Sequence, residues 1–209
     1  MKQRAGLTLL ELMLVLVLLA IVSVKAFSAV HVVNESLSQE TREIALEDQA
    51  RRVLRRIAYE IMGANRGSLI PVASAPMSSD DMLYQVNLGI QNGAVIWSDP
   101  EEVALEEDRG KVYWSENPDT EAERRVVWTS LVAPYLEGEI PNGMDDNGNG
   151  LIDERGLSFV IDRDSVTVRL TLERMLEGGE SVIQTVQTTV TCRNLESDDD
   201  TAGASAAEQ

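Results

Sequence analysis

The sequence predicts an α+β protein in which one long N-terminal α-helix, membrane-spanning in its first half, packs through its second half on a C-terminal antiparallel β-sheet domain. Three observations predict this class. An apolar run begins within ten residues of Met1. No Pro or Gly interrupts the chain from Leu7 to Met62. From Leu69 onward the hydrophobic period changes from that of a helix to that of strands.

The first element is the membrane-spanning half. Met1 to Gly6 is short, polar and carries Lys2 and Arg4. Residues 7–33 are mainly apolar and about 40 Å long if helical, against a hydrocarbon core of about 30 Å. Basic residues ahead of the span predict a cytoplasmic N-terminus with the rest of the chain outside the cytoplasm. The span is interrupted by Thr8, Glu11, Ser23, Lys25, Ser28 and His31. A conventional secretory signal shares the basic start and apolar stretch, and Val24-Lys25-Ala26 would serve as its cleavage site.

Glu11 bears on this choice, because a charge inside a span costs about 2.5 to 3.5 kcal/mol at the helix centre and less near an end. If the chain is cut after Gly6, Leu7 carries a free ammonium one helical turn from Glu11. The carboxylate then meets its own N-terminus or a neighbouring subunit's, at the positive end of the helix dipole. On spacing alone Glu11 equally marks the edge of an ordinary anchor.

The second half of the helix, residues 34–66, carries Leu46, Ala50, Val53, Leu54, Ile57, Ala58 and Ile61 at spacings of three and four, which is one apolar stripe. Glu47, Arg51, Arg52, Arg55 and Glu60 lie on the other side, and the arginines read as a solvated face. Gly63 and Gly67 supply the stop.

Residues 67–195 read as the globular β-rich domain. Pro71 and Pro76 make a loop. Short β-branched and aromatic runs follow at 83–88, 94–97, 111–114 and 125–128, with Asn92-Gly93 as a hairpin turn. Apolar Val166, Val168, Leu170 and Leu172 alternate with polar residues as a half-buried strand. Glu177-Gly178-Gly179-Glu180 turns the chain, and 181–191 is the closing strand. Trp97, Trp114 and Trp128 are expected in the core. Cys192 is expected to be a small buried residue. Residues 196–209 form an acidic, then small and polar tail with the composition of a disordered segment.

Composition excludes several functions. With a net charge of −17, and acids concentrated after residue 98, the chain is unsuited to nucleic acid. The one cysteine forms no internal disulfide, and the one histidine, His31, builds neither a triad nor a His metal centre. The pairs Glu101-Glu102 and Glu106-Glu107 read as a solvated acidic loop, and no spacing nominates a catalytic pair, so the chain is read as a non-enzyme.

The stretch 142–156, NGMDDNGNGLIDERG, does carry chemistry. Asp145, Asn147, Asn149, Gly150, Leu151 and Asp153 occupy positions 1, 3, 5, 6, 7 and 9 of an EF-hand-type calcium loop, with Leu151 offering its carbonyl. Position 12, where a bidentate Glu is expected, is Gly156, and no helix flanks the loop. A structural Ca2+ is expected there, with Asp146, Glu154 or a distant carboxylate completing the shell. A plain Asx-Gly turn has the same composition.

The residues Arg4-Ala5-Gly6-Leu7-Thr8-Leu9-Leu10-Glu11 and the apolar run after them resemble the class III signal of type IV pilins and type II secretion pseudopilins. The resemblance implies that prepilin peptidase cuts after Gly6 and methylates Leu7, and that Glu11 is the assembly carboxylate. Leu7 stands where Phe is more usual, and Lys25 in the span departs from the pattern. Across residues 83–194 the NGAVIW hairpin and the closing TTVTCRN are similar to minor pseudopilins of the J or H type. The family implies a single-pass inner-membrane subunit with a periplasmic domain. Its expected partners are other pseudopilin or pilin subunits, prepilin peptidase and secreted substrates. The other readings are a type IV pilus minor pilin for adhesion or DNA uptake, and a calcium-binding extracytoplasmic protein on an anchor or conventional signal peptide.

Overall fold

The computed structural model describes residues 9–176 and 179–193. The leader 1–6, Leu7, the tail 196–209 and the Glu177-Gly178 half of the predicted turn lie outside the described residues. The chain divides into two compact units, Met1–Ile44 and Ala45–Gln209. Helix α1 (Leu9–Gly63, 55 residues) contributes to both.

The first unit is helical throughout its described part. Glu11–His31 is long and apolar enough to cross a membrane, with a mean hydropathy of 2.5 over its most apolar stretch. Its apolar side chains, among them Leu12, Val15, Leu18 and Val22, are exposed on every face. Such a helix is hydrophobic all round, which suits lipid or a helix bundle. The polar interruption at Ser28 is absorbed locally, since its hydroxyl donates to the carbonyl of Val24 at 3.0 Å.

In the second unit the stripe on α1 is buried as its spacing predicts. Leu46, Ala50, Ile57 and Ile61 are fully covered, Val53 and Leu54 nearly so. Ala58 and Met62 are half-buried against the same core. Arg51, Arg52, Arg55 and Arg56 stay exposed. Arg51 pairs with Glu47 one turn back at 2.6 Å. Beyond Gly63, Asn65 caps a short 3-10 turn, its side chain accepting the N–H of Gly67 at 2.9 Å.

Among the described residues nine strands make three antiparallel sheets. Strands β1 (Asp81–Tyr84), β4 (Glu101–Glu106), β5 (Lys111–Glu116) and β6 (Arg124–Thr129) form a sheet in the order β1-β4-β5-β6. Strands β2 (Asn87–Gln91) and β3 (Ala94–Trp97) pair as a separate hairpin, and β7 (Leu157–Asp162), β8 (Ser165–Met175) and β9 (Ser181–Thr191) form the third sheet. The hairpin turns at Asn92-Gly93, both with positive φ, as a two-residue turn of this kind requires. The core joins the α1 stripe to Met82, Tyr84, Val103 and Val112 of the first sheet and to Phe159, Val168, Leu170 and Leu172 of the third.

Four features differ from the sequence expectations. The run 83–88 is not one strand: it breaks after Tyr84, where Gln85 and Val86 turn to pair with Asn65, Ala64 and Ser98. The segment 101–106 is not a solvated loop but β4, an interior strand. Its acids are accommodated by cross-strand donors: Trp114 Nε1 donates to Glu101 at 3.0 Å, and the Tyr113 hydroxyl to Glu102 at 3.3 Å. β7 had no sequence expectation, because both its faces are buried and its run therefore shows no alternation. Trp114 and Trp128 pack against the core as expected, whereas Trp97 lies on the β2–β3 hairpin, outside that core and half-buried. Cys192 is buried, and burial pushes its thiol pKa up.

Candidate functional site: the N-terminal signal helix and the loop 139–156

The two candidate sites lie in different units. In the first, Glu11 occupies the first turn of α1. An acid there is favoured by the partial positive charge of the unsatisfied N–H groups. Gly6 and Leu7, the expected cleavage and methylation residues, lie outside the described residues. Residues 1–24 match the family described as the prokaryotic N-terminal methylation motif. The chain carries a prepilin-type signal. That signal overlaps the apolar stretch Glu11–His31, which among the described residues is the one helix long and apolar enough to cross a membrane. A prepilin-type signal implies processing by a prepilin peptidase and assembly with other pilin-like subunits. It also implies a structural subunit rather than an enzyme. No curated protein and no solved structure matches the chain.

In the second unit, the residues between Leu136 and Gly156 wrap into a loop held by its own short side chains. Asp145 Oδ1 accepts the N–H groups of Gly148 (2.7 Å) and Asn149 (3.1 Å), and its Oδ2 accepts that of Gly150 (2.8 Å). Asn147 Oδ1 accepts from Asn149 N, and Asn149 Oδ1 from Leu151 N. Acceptance by positions 1, 3 and 5 from amides further along the loop curls the backbone around one centre. Gly148 and Gly150 adopt positive φ of 74° and 87°, which suits residues without a Cβ. Asp153 takes the amides of Asn142 and Gly143 at 2.9 to 3.0 Å and so closes the base of the loop. Asp146 lies against Asn142, whose Nδ2 donates to it at 2.7 Å.

Two carboxylates reach this loop that its repeat does not contain. Glu139 Oε1 accepts the amide of Asn147 at 3.0 Å, and Glu154 Oε1 accepts from Asn149 Nδ2 at 2.6 Å. They are 8% and 1% exposed. Glu154 is one of the residues the sequence offers for completing the shell. Glu139 precedes the motif by six residues, and nothing in its local pattern singles it out.

The structure also gives a reason for Gly at position 12. A Cβ on Gly156 would stand 1.9 Å from the carbonyl oxygen of Ala133. The Gly156 carbonyl accepts from Thr171 N at 2.7 Å, so this residue is committed to the packing of the third sheet. Position 12 therefore cannot carry a side chain.

Proposed function

We propose that the chain is a minor pseudopilin, a structural subunit of the periplasmic fibre of a type II secretion system. The observation that carries this reading is the prepilin-type signal at residues 1–24 running without a break into α1. The basic leader stays in the cytoplasm, Glu11–His31 crosses the inner membrane, and the β-rich domain lies in the periplasm. Prepilin peptidase cuts after Gly6 and methylates Leu7. Glu11 then meets the ammonium of a neighbouring subunit inside the fibre, where low dielectric strengthens the pair. The expected partners are other pseudopilins and, through the exposed domain, secreted substrates.

The test is the mature N-terminus, read by intact mass and N-terminal peptide mass spectrometry of protein from a host with its prepilin peptidase. A chain starting at Leu7 and carrying one methyl group is expected. A start at Met1 or near Phe27 would remove the fibre role and leave an anchored or secreted domain. The second reading, a minor pilin of a type IV surface pilus, shares the same processing. Deletion of the chain in its host separates the two: loss of exoprotein secretion with surface pili intact is the pseudopilin outcome, and the reverse is the pilus outcome.

A further inference from the structure

The loop 145–153 offers a curled set of oxygen donors, but calcium also needs carboxylates to balance its charge. Position 12 cannot provide one, for the steric reason given by Ala133. Glu139 and Glu154 stand in its place. One oxygen of each accepts a hydrogen bond from the loop, at Asn147 and Asn149 respectively. The other oxygen of each, Oε2, is buried and has no hydrogen-bond partner. Among the described residues no Lys or Arg pairs with either; the adjacent Arg155 pairs with Glu107 at 2.9 Å and stacks on Tyr135. Buried carboxylate oxygens are rarely left this way, because the charged form loses water and gains nothing for it. A cation bound at the loop, with these oxygens turned to it, would remove that cost.

We propose that residues 139–154 form a calcium site in which Asp145, Asn147, Asn149 and the Leu151 carbonyl supply the loop donors, and Glu139 and Glu154 supply the charge that position 12 lacks. Asp153, at position 9, holds the base of the loop through Asn142 and Gly143, and a position-9 residue often contacts the ion through water. Among the described residues no three Asp, Glu, His or Cys side chains already stand close enough to hold a metal ion, so calcium binding has to draw the Glu139 and Glu154 carboxylates in toward Asp145. The donor set is mixed carboxylate, amide and carbonyl oxygen, which suits a hard cation rather than zinc. The site is independent of how the N-terminus is processed and of which fibre the chain joins.

The experiment uses the full-length protein in detergent, stripped with EGTA, titrated with CaCl2 by calorimetry and melted with and without the ion. Native protein is expected to bind one calcium saturably and to melt higher with CaCl2 than with equimolar MgCl2. Glu139→Gln and Glu154→Gln are each expected to weaken calcium binding at least about tenfold, the loss of one charged ligand. In EGTA the same variants are expected to melt no lower than native protein, since a neutral amide is cheaper to bury than an unpaired carboxylate. That reversal separates a ligand from a merely structural residue, which would lower the melting temperature equally in both conditions. Absence of saturable binding, native affinity in both Gln variants, an equal response to magnesium, or equal destabilisation with and without calcium would each overturn the site. If a Gln variant does not fold, Asp145→Asn replaces it, an exposed change for which native affinity is equally fatal.

Discussion

At the scale of single residues, Gly156 shows how one missing side chain can serve two purposes. It lets the chain pass against Ala133 and Val132 as it enters β7, and it empties the position from which a calcium loop usually draws its last ligand. A methyl group there would meet backbone rather than a flexible side chain. Gly156→Ala is accordingly expected to cost about 3 kcal/mol, at the upper end of overpacking penalties, read as a shift of the urea midpoint in EGTA. A variant as stable as the native domain would show that Ala133 moves aside freely. The buried acids follow a different logic. Glu101 and Glu102 are tolerated in β4 because Trp114, Tyr113 and Ser115 present donors to them from the neighbouring strand. Glu139 and Glu154 each keep one oxygen without such a donor.

At the scale of elements, α1 is one helix with two surfaces written along it. Its first part is apolar on all sides, and the part from Leu46 on is apolar on one stripe only. The first suits lipid and the fibre interior, and the second suits a single sheet-lined core. In the proposed fibre, insertion depends on the apolar surface and register on Glu11. Glu11→Ala is therefore expected to leave membrane insertion intact while sharply reducing the amount of chain recovered in sheared fibres. Equal recovery of mutant and native protein would refute the assembly role of this carboxylate. Among the sheets, the β2–β3 hairpin stands apart: Leu88 and Ile90 are 66% and 74% exposed. β2 alternates polar and apolar residues, β3 is apolar throughout and the turn is ideal, yet the hairpin contributes little to the core.

At the scale of the whole molecule, charge sets how stability depends on pH. Burial raises the pKa of Glu60, Asp80 and Glu102; nearby acids add to the shift, among them Glu101 at Glu60 and Asp81 at Asp80 and Glu102. For an acid raised on folding, the folded state holds more protons than the unfolded chain between the ordinary value near ~4 and the raised one. Stability therefore falls as pH rises through that window and returns on acidification. The net charge of −17 acts with the same sign, since self-repulsion relaxes as carboxylates protonate. In EGTA the melting temperature is expected to rise as the pH is lowered from neutrality toward the ordinary carboxylate range. Glu102→Gln is expected to melt higher than native protein at the upper pH and to show a smaller rise. A melting temperature that falls over this interval would mean that carboxylates favoured as anions outweigh these three.

What the sequence by itself determined is local. The signal at residues 1–24, the all-round apolar stretch, the stripe from Leu46 to Ile61, the Asn92-Gly93 turn and the Asx-Gly curl at 145–151 each depend on residues within a few positions of one another. Periodicity, turn chemistry and peptidase recognition read such neighbours directly. What only the tertiary structure decided is which distant segments meet. β4 is a strand because β1 and β5 flank it and β5 offers donors to its acids, and β7 is a strand because both its faces are covered. Glu139 joins the loop because the chain folds back on itself through Leu136 and Glu154. Position 12 is empty because Ala133 lies against it. These outcomes depend on burial and on partners far away in the chain, and no short window of sequence contains them.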